Sequence, residues 1–395
     1  MNPGMDEDVF EAFMEQLKRY VRERLIPAEA EVIANDAIPE DILNEMREMG
    51  LFGITIPVEY GGAGMNVSQY IETVKQLSYA APAYRSTMSI NVGMTGTAIK
   101  NFGTEEQKAH WLPRIASGEI ACFGLTEPGS GSDSAAMQTM ATRDGDGSGN
   151  GYVLNGTKRY ITNSPHAKVG LIMARTSKEA LAKNAHVSAF IVDMTTPGIT
   201  IGSPDKKMGQ TGAHIADVIM EDVKIPGDAL VGGAEGRGFQ IAMQSLDNGR
   251  LSVAGMSVGI GRRALDTAVR YATERKAFGE PISNFQLIQG MLADSDAELY
   301  AAECMIADAC ARADRGENIV RKAAAAKMFA SEVCGKVVDR VVQIYGGAGY
   351  LAEYEAERFF RDARILRIYE GTTQIMQLQI AKHMLRDFKE RGAVW

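Results

Sequence analysis

The sequence contains few of the residues that build metal sites or disulfide frameworks. Among its 395 residues there are only four cysteines and five histidines. Neither type shows the spacing of metal ligands, and the cysteines lie in apolar sequence, which is typical of reduced packing residues. The cysteines are Cys122, Cys304, Cys310 and Cys334, and the histidines are His110, His166, His186, His214 and His383. If the chain is an enzyme, we therefore expect a bound group to carry its chemistry, rather than a metal ion or a Ser-His pair.

The sequence also lacks the features of nucleic-acid-binding, membrane and secreted proteins. Its net charge is −8, and no basic stripe is present that could meet phosphates. The most basic run, Lys18–Arg24, is interrupted by Glu23 and is typical of a solvated helix face. No apolar run approaches the ~20 residues of a membrane span, and residues 1–8 lack the pattern of a signal peptide. We therefore expect no nucleic-acid partner, no membrane span and a cytoplasmic location.

The pattern of apolar residues changes twice along the chain. Up to about residue 118 it has helical spacing, and beyond residue 238 long helical patterns return, which predicts an antiparallel bundle. Between them, short apolar alternations rich in Gly, Thr and Ser predict strands of a small barrel or sandwich. The predicted fold class is α+β multidomain, with an N-terminal α-helical domain at 1–118, a central β-domain at 119–232 and a C-terminal α-helical bundle at 233–395.

Two turn signals lie within the predicted β-domain. Asn155-Gly156 stands between two apolar alternations, a pattern that predicts a hairpin with a type I′ turn. The tract 144–151 is rich in Asp, Gly and Ser and predicts a mobile hairpin loop.

A candidate catalytic acid lies near the C-terminus, in the segment Arg367–Ile375. Glu370 stands between Tyr369 and Gly371, and the apolar flanks Ile368 and Tyr369 should exclude water from its carboxyl group. Burial disfavours the charged form, so we expect a raised pKa, as a general base requires. Gly371 lets a ligand approach the neighbouring backbone N–H groups, which suits removal of a proton next to a carbonyl. The alternative for such a Glu-Gly pair is an ordinary surface turn.

Three further segments could bind a ligand, and each also has a purely structural interpretation. Thr126–Asp133 offers hydroxyl and N–H groups for a polar ring or a pyrophosphate, or is a flexible turn. Arg275–Gly279 could contact a ligand or simply end a helix with favourable cations. Gly346–Gly349 could contact a ligand or cap a helix.

Together, several segments resemble the acyl-CoA dehydrogenase family in order and spacing, over nearly the whole chain. They are Pro57–Gly62, Thr126–Asp133, Tyr160–Thr162, Arg275–Gly279, Gln343–Gly347 and Tyr369–Thr372. The resemblance implies an N-terminal helical domain, a central β-barrel-like domain and a C-terminal four-helix bundle, assembled as a homotetramer. It also implies FAD as cofactor, an acyl-CoA substrate and an electron-transferring flavoprotein as electron acceptor.

The resemblance assigns the flavin-binding residues to two subunits. Those that would hold FAD within one subunit are Phe123, Leu125, Thr126, Ser132, Tyr160, Ile161 and Thr162. Those that match residues reaching the flavin of a neighbouring subunit are Arg275, Phe278, Gln286, Gln343, Ile344, Gly346 and Gly347. Thr372 and Gln374 would complete the site.

Glu370 matches the family's base, which removes the α-proton while the β-hydrogen leaves as hydride to the flavin. By the same resemblance, Asp247 and Arg250 line the channel of the CoA thioester, and Ser132 contacts both flavin and CoA. Tyr369 and Gly371 adjoin the base within the substrate site.

One segment narrows the acyl group. Tyr84–Ser89 resembles glutaryl-CoA dehydrogenases, in which an arginine and a serine, here Arg85 and Ser86, hold the distal carboxylate. An arginine at the end of an acyl pocket is unfavourable unless an anion reaches it. Alternatively, Arg85 caps a helix or pairs with Glu370 or Asp247.

Other positions favour different substrates. Gly129, Ser78 and Asp247 stand where glutaryl enzymes typically carry Asn, Glu and Asn, and Arg361–Arg364 resembles short- and medium-chain enzymes. Tyr369 before the base resembles the decarboxylating glutaryl enzymes. The substrate is therefore expected to be glutaryl-CoA or another dicarboxylyl-CoA, with a short- or medium-chain fatty acyl-CoA as the alternative. A flavin oxidase or an elimination enzyme on the same fold, and a non-enzymatic helical interaction protein, are the alternatives to a dehydrogenase.

Overall fold

In a computed structural model, which describes residues 3–145 and 151–394, the N-terminal part consists of helices and turns. Asn66 and Thr104 each cap a helix and share reciprocal hydrogen bonds with the glutamine three residues on. Pro82 occupies the first turn of its helix, where its missing N–H costs nothing. The helices are α1 (Glu7–Tyr20), α2 (Glu29–Asn35), α3 (Glu40–Glu48), α4 (Val67–Leu77), α5 (Pro82–Ser89), α6 (Gly96–Phe102) and α7 (Glu105–Ala116).

The middle part of the chain forms a curled seven-stranded sheet. Its strands are β1 (Ala121–Gly124), β2 (Met140–Arg143), β3 (Tyr152–Thr162), β4 (Val169–Arg175), β5 (Val187–Asp193), β6 (Ile199–Ile201) and β7 (Ile215–Ile225). The order is β1-β4-β2-β3-β7-β6, and β5 also pairs with β4. Most pairs are antiparallel, but β1 runs parallel to β4 because the β2–β3 hairpin intervenes along the chain.

The predicted turn at Asn155-Gly156 is wrong, because β3 runs through both residues without reversing. They form a bulge opposite β7, where the Asn155 side chain exchanges hydrogen bonds with Asp222. A Cβ atom at Gly156 would lie 2.6 Å from the Thr139 Oγ1 atom, so the glycine allows close approach rather than a turn. The hairpin lies one connection earlier, between β2 and β3, and residues 146–150 of the loop predicted to be mobile lie outside the described residues.

The C-terminal part is again helical. Its elements are α8 (Gly238–Glu274), β8 (Lys276–Ala277), β9 (Glu280–Pro281), α9 (Gln286–Asp314), α10 (Val320–Tyr345), α11 (Glu355–Ala363) and α12 (Thr373–Arg391). Helices α8, α9, α10 and α12 pack as the predicted bundle. Helix α11 was not foreseen from the sequence.

The predicted domain boundaries after residues 118 and 232 fall outside the helices and strands numbered here. The division into three domains stays a prediction.

Helix α8 connects the domains. The largest core contains residues of α1, α4, α5, α8, α9 and α10, so the N-terminal helices and the bundle share one apolar interior. The first turns of α8 contribute Ile241 and Ala242 to a second core, between α6, α7 and the sheet. One helix therefore touches all three parts of the fold, and a site along it can draw side chains from each.

The structure tests three predictions made from the composition, on the cysteines, membrane spans and metal sites. Cys122, Cys310 and Cys334 are buried and free, as predicted, but Cys304 is exposed, so its predicted role as a packing residue is wrong. Within residues 3–145 and 151–394, no helix has the length and apolar character needed to cross a bilayer. Across the same residues, His, Cys, Asp and Glu side chains form no group suited to hold a metal ion.

Candidate active site

The segment with Glu370 forms a tight turn between α11 and α12. Glu370 has a φ of 57° and Gly371 a φ of 95°, so two successive residues adopt the left-handed conformation. This conformation is unfavourable for a glutamate and persists only where the surroundings enforce it. Thr372 then caps α12, because its hydroxyl group accepts a hydrogen bond from the Ile375 N–H at 3.2 Å. The turn presents the Glu370 side chain to the inside of the molecule.

The Glu370 carboxyl group has one oxygen atom in a dry environment. Its Oε2 atom is inaccessible to solvent and has no hydrogen-bond partner. A Cβ atom at Gly249, on α8, would lie only 2.5 Å from it, so the carboxyl group packs directly on the helix backbone. Burial raises the pKa of Glu370, and the positive charges of Arg85, Arg250 and Lys327 oppose that rise. The expected direction of the shift is confirmed.

The source of this burial differs from the sequence-based interpretation. Ile368 is 46% exposed and contributes little shielding. The contact at Gly249 and the buried side chains Arg85, Arg250 and Lys327 come from α8, α5 and α10 instead. The expected shielding by Ile368 is therefore wrong, whereas Tyr369 packs against the core as an apolar flank would.

Arg85 lies buried on α5 with an incomplete set of partners. Its Nη2 atom donates to the Ser252 hydroxyl oxygen at 2.6 Å, and the same hydroxyl group is 2.9 Å from the Tyr70 hydroxyl group. The Nε atom of Arg85 has no hydrogen-bond partner. Among the described residues, no carboxylate oxygen lies within 4.0 Å of its guanidinium group. Ser86, the next residue, is also buried.

Asp247 and Arg250 engage each other on α8. The Arg250 Nη1 atom donates to the Asp247 carboxylate at 2.5 Å, across one turn of the helix. Burial raises the pKa of Asp247, and Arg250 opposes this. Asp247 is therefore not available to neutralise Arg85.

Tyr369 joins the turn to the β-domain. Its hydroxyl group lies 3.3 Å from the Met256 sulfur and accepts from the Gln210 side-chain amide at 3.5 Å. The Gln210 backbone N–H in turn donates to the carboxylate of Asp362. Burial raises the pKa of Tyr369, so the hydroxyl group is neutral at physiological pH.

The ends of β1 and β3 form an exposed shelf, defined here by Thr126, Ser132, Tyr160 and Thr162. The Arg159 N–H donates to the Thr126 carbonyl oxygen at 2.8 Å, which brings the two strand ends together. Phe123, Leu125 and Ile161 are buried behind the shelf. Its base includes an ion pair in which the Nζ atom of buried Lys158 lies 2.7 Å from the Glu127 carboxylate.

The shelf has the chemistry to hold a flat, polar cofactor. Tyr160 is 58% exposed at a φ of 59°, and the hydroxyl groups of Thr126, Ser132 and Thr162 supply donors and acceptors. No side chain packs within 4 Å of a Cβ built at Gly129 or Gly131 in the adjoining loop, so that edge is open. Beyond Thr162, the Asn163 side chain donates to the Thr87 carbonyl oxygen at 2.9 Å, so the shelf adjoins α5, the helix of Arg85.

The remaining predicted flavin residues lie at one end of the bundle. The Tyr271 and Tyr345 rings stack with centroids 3.9 Å apart, which joins the end of α8 to the end of α10. Phe278, in the following β8–β9 turn, is 96% exposed. The other exposed residues of this bundle-end surface are Arg275, Gln286, Gln343, Gly346 and Gly347, whereas Ile344 is buried. Gln374 is exposed separately, on the first turn of α12.

Sequence reasoning missed four residues that contact this site. They are Tyr70, Gly249, Ser252 and Lys327. Three of them have no sequence signal of their own, since their role depends on partners more than a hundred residues away. Lys327 has one, because it is a lone cation in the alanine-rich run 323–330 of a buried helix.

Comparison with known proteins shows similarity over the whole described fold. The acyl-CoA dehydrogenase N-terminal, middle and C-terminal domain models match residues 7–119, 122–223 and 236–385. The mitochondrial short-chain specific acyl-CoA dehydrogenase of Homo sapiens is 38% identical over 97% of this chain and 91% of its own length. The CarC subunit of the caffeyl-CoA reductase-Etf complex of Acetobacterium woodii is 39% identical over 90% of this chain and 92% of its own. The structure of glutaryl-coenzyme A dehydrogenase with glutaryl-CoA superposes with a TM-score of 0.90 at 31% identity, over 98% of this chain and 97% of that one.

Proposed function

Because this chain belongs to the acyl-CoA dehydrogenase family, we propose that Glu370 removes the α-proton of its acyl-CoA thioester. The protein is a flavin-dependent oxidoreductase, and its cofactor is FAD. The observation that carries the proposal is the unpartnered, solvent-inaccessible Oε2 atom of Glu370. A carboxylate oxygen atom that is neither hydrated nor hydrogen-bonded keeps its lone pairs available for a proton.

The surroundings of Glu370 adjust its proton affinity in two directions. Burial raises its pKa, which makes the carboxylate a stronger base. The positive charges of Arg85, Arg250 and Lys327 oppose that rise and favour the ionised form that a base requires. A general base works best when its pKa lies near the working pH, and burial moves the pKa of Glu370 in that direction.

The shelf residues fit FAD, and we assign them to its binding. The hydroxyl groups of Thr126, Ser132 and Thr162 would bind polar atoms of the flavin, and the buried ion pair of Lys158 with Glu127 would hold the loop in place. When bound, FAD accepts the hydride that leaves the β-carbon of the substrate. Thr372 and Gln374 would approach it from the start of α12.

The bundle-end surface supports assembly of several subunits around each flavin. Phe278 is 96% exposed on this surface, and burial of its ring against another subunit would stabilise an assembly. We propose a homotetramer in which Arg275, Phe278, Gln286 and residues 343–347 contact the flavin of a neighbouring subunit. The name of the Acetobacterium woodii relative includes an Etf complex, which supports an electron-transferring flavoprotein as acceptor. We place the protein in the cytoplasm.

We further propose that the substrate is glutaryl-CoA or a related dicarboxylyl-CoA, whose distal carboxylate binds Arg85 and Ser86. Arg85 is buried and has an unpartnered Nε atom, and Asp247 is already paired with Arg250. A buried guanidinium group without a carboxylate is costly, and an anionic substrate would remove that cost. Arg250 and Asp247 would line the thioester channel, with Gly371 and Tyr369 next to the base.

A short-chain fatty acyl-CoA is the second candidate. The human short-chain enzyme is 38% identical over nearly the full length. Arg85 also donates to the Ser252 hydroxyl group, which in turn contacts the Tyr70 hydroxyl group, and this partly satisfies the guanidinium group without a substrate carboxylate. With glutaryl-CoA, the Tyr369 segment suggests decarboxylation, so mass spectrometry should detect crotonyl-CoA and CO₂. Detection of glutaconyl-CoA alone would refute decarboxylation.

The variant Glu370→Gln tests the proposed base. The amide preserves the shape of the side chain but cannot accept a proton at neutral pH, so turnover should fall by at least about 10³-fold while FAD stays bound. Turnover of glutaryl-CoA and butyryl-CoA is measured together with the flavin absorbance of the purified protein. Glu357→Gln, which alters a carboxylate paired with Arg361 on α11, is the matched control. If Glu370→Gln keeps more than about a tenth of the wild-type turnover, another residue is the base.

A further inference from the structure

Lys327 is a buried cation with no carboxylate in contact. Its side chain lies on α10 and is fully buried. Its Nζ atom donates to the Gly371 carbonyl oxygen at 2.7 Å. Among the described residues, no carboxylate oxygen lies within 4.0 Å of this nitrogen, whereas the buried Lys158 has one at 2.7 Å. An ammonium group in such a place costs free energy, because it has left water and no carboxylate contacts it.

The hydrogen bond acts on the strained part of the turn. Glu370 and Gly371 both have positive φ angles, and the Gly371 carbonyl group lies just before the helix that Thr372 caps. Hydrogen bonds from a charged donor are stronger than neutral ones. Since the carbonyl group belongs to the residue after Glu370, holding it restricts the rotation of the backbone from which the Glu370 side chain extends.

The charge of Lys327 also reaches the carboxyl group. Burial lowers the pKa of Lys327 to about 8, with Glu370 raising it and Arg250 lowering it. The titratable and charged groups facing this pair are Tyr70 of α4, Arg85 of α5, Asp247 and Arg250 of α8, Glu332 of α10, and Tyr369.

Most of these groups already have a partner. The Asp247 carboxylate lies 2.5 Å from the Arg250 Nη1 atom and offsets its charge. The Glu332 carboxylate accepts hydrogen bonds from Arg367 and Thr373. Arg250 also lowers the pKa of Glu370, but Asp247 offsets part of its charge, whereas Arg85 and Lys327 have no carboxylate in contact among the described residues. If Arg85 binds a substrate carboxylate, Lys327 remains as the cation near Glu370 that no carboxylate contacts.

We propose that Lys327 is a positioning residue for Glu370, a proposal that rests on the role of Glu370 as base. Its ammonium group holds the Glu370–Gly371 turn through the Gly371 carbonyl oxygen. The same group supplies a buried positive charge that favours the ionised form of the Glu370 carboxyl group when Arg85 is engaged.

The test measures the proton affinity of Glu370 directly in the FAD-bound protein. Infrared difference spectra recorded across pH follow the band of the protonated carboxyl group, which is assigned by its absence in Glu370→Gln. Lys327→Met removes both the charge and the hydrogen bond at nearly constant volume, and Lys327→Gln removes the charge but keeps a neutral donor. Lys336→Met, on the exposed side of the same helix and paired with Glu298, is the matched control.

We expect both Lys327 variants to raise the titration midpoint of Glu370 by more than about half a pH unit, or roughly threefold in the protonation equilibrium. Lys336→Met should leave it unchanged, and all variants should keep FAD. If Lys327→Met fails to fold, Lys327→Gln carries the same comparison. An unchanged midpoint in a folded, FAD-containing Lys327 variant would overturn the proposal. The midpoint does not depend on catalysis, so a fully active Glu370→Gln variant would reject the proposed base without altering this result.

Discussion

Replacing Arg85 by alanine tests which acyl group the site accepts. In the wild-type protein the guanidinium group is buried, donates to Ser252 and keeps one nitrogen unpartnered. A charge-assisted contact with a substrate carboxylate contributes about 1.5–3 kcal/mol, or roughly 10- to 150-fold in kcat/KM. We therefore expect Arg85→Ala to reduce kcat/KM for glutaryl-CoA by that factor relative to butyryl-CoA.

The ratio of the two substrates is the quantity to compare, because Arg85 has a second effect. Its positive charge is the largest influence that lowers the pKa of Glu370 against the effect of burial. Removing it therefore changes the ionisation of Glu370 for both substrates alike, and this common factor cancels in the ratio. The remaining change reports the contact with the distal carboxylate.

The assay needs two companion variants. Arg85→Lys keeps the charge but loses the planar pair of donors, so its ratio should lie between those of the wild type and the alanine variant. Arg143→Ala, which removes an exposed arginine on β2 paired with Glu235, should leave the ratio unchanged. Equal losses on glutaryl-CoA and butyryl-CoA in Arg85→Ala would refute carboxylate binding and favour a short-chain fatty acyl-CoA.

Three further predictions concern stability, packing and assembly. The pKa of Glu370 is raised above its ordinary value of 4.5, so just above that pH the folded state binds more protons than the unfolded state, and the stability falls as the pH rises. Glu370→Gln removes this titration and should therefore raise Tm, more at pH 8 than at pH 5. An unchanged Tm would contradict this. Gly249→Ala should lower turnover about tenfold or more by displacing the carboxyl group, with flavin content unchanged, and full activity would show that the turn can yield. Phe278→Asp should weaken assembly and lower FAD content together, as light scattering and flavin absorbance would measure, and a fully flavinylated, active monomer would rule out the shared site.

The sequence determined most of the secondary structure and the identity of the candidate acid. Long apolar periodicities such as residues 239–275 and 320–345 agree with α8 and α10, because a helix buried along one face must repeat apolar residues at its own pitch. Glu370 could be singled out because the glycine beside it and the helix after it are local features. Local signals failed at Asn155-Gly156, where a typical turn pair lies inside a long strand.

Only the tertiary structure decided what surrounds the acid. Ser252 contacts Arg85 across 167 residues, and Lys327 contacts Gly371 across 44. Gly249 packs against the carboxyl group, a contact that the sequence does not indicate although Asp247 and Arg250 beside it are predicted site residues. Burial and charge depend on distances in space, and the packing of α5, α8 and α10 sets those distances, whereas periodicity reports only which face of each helix is buried.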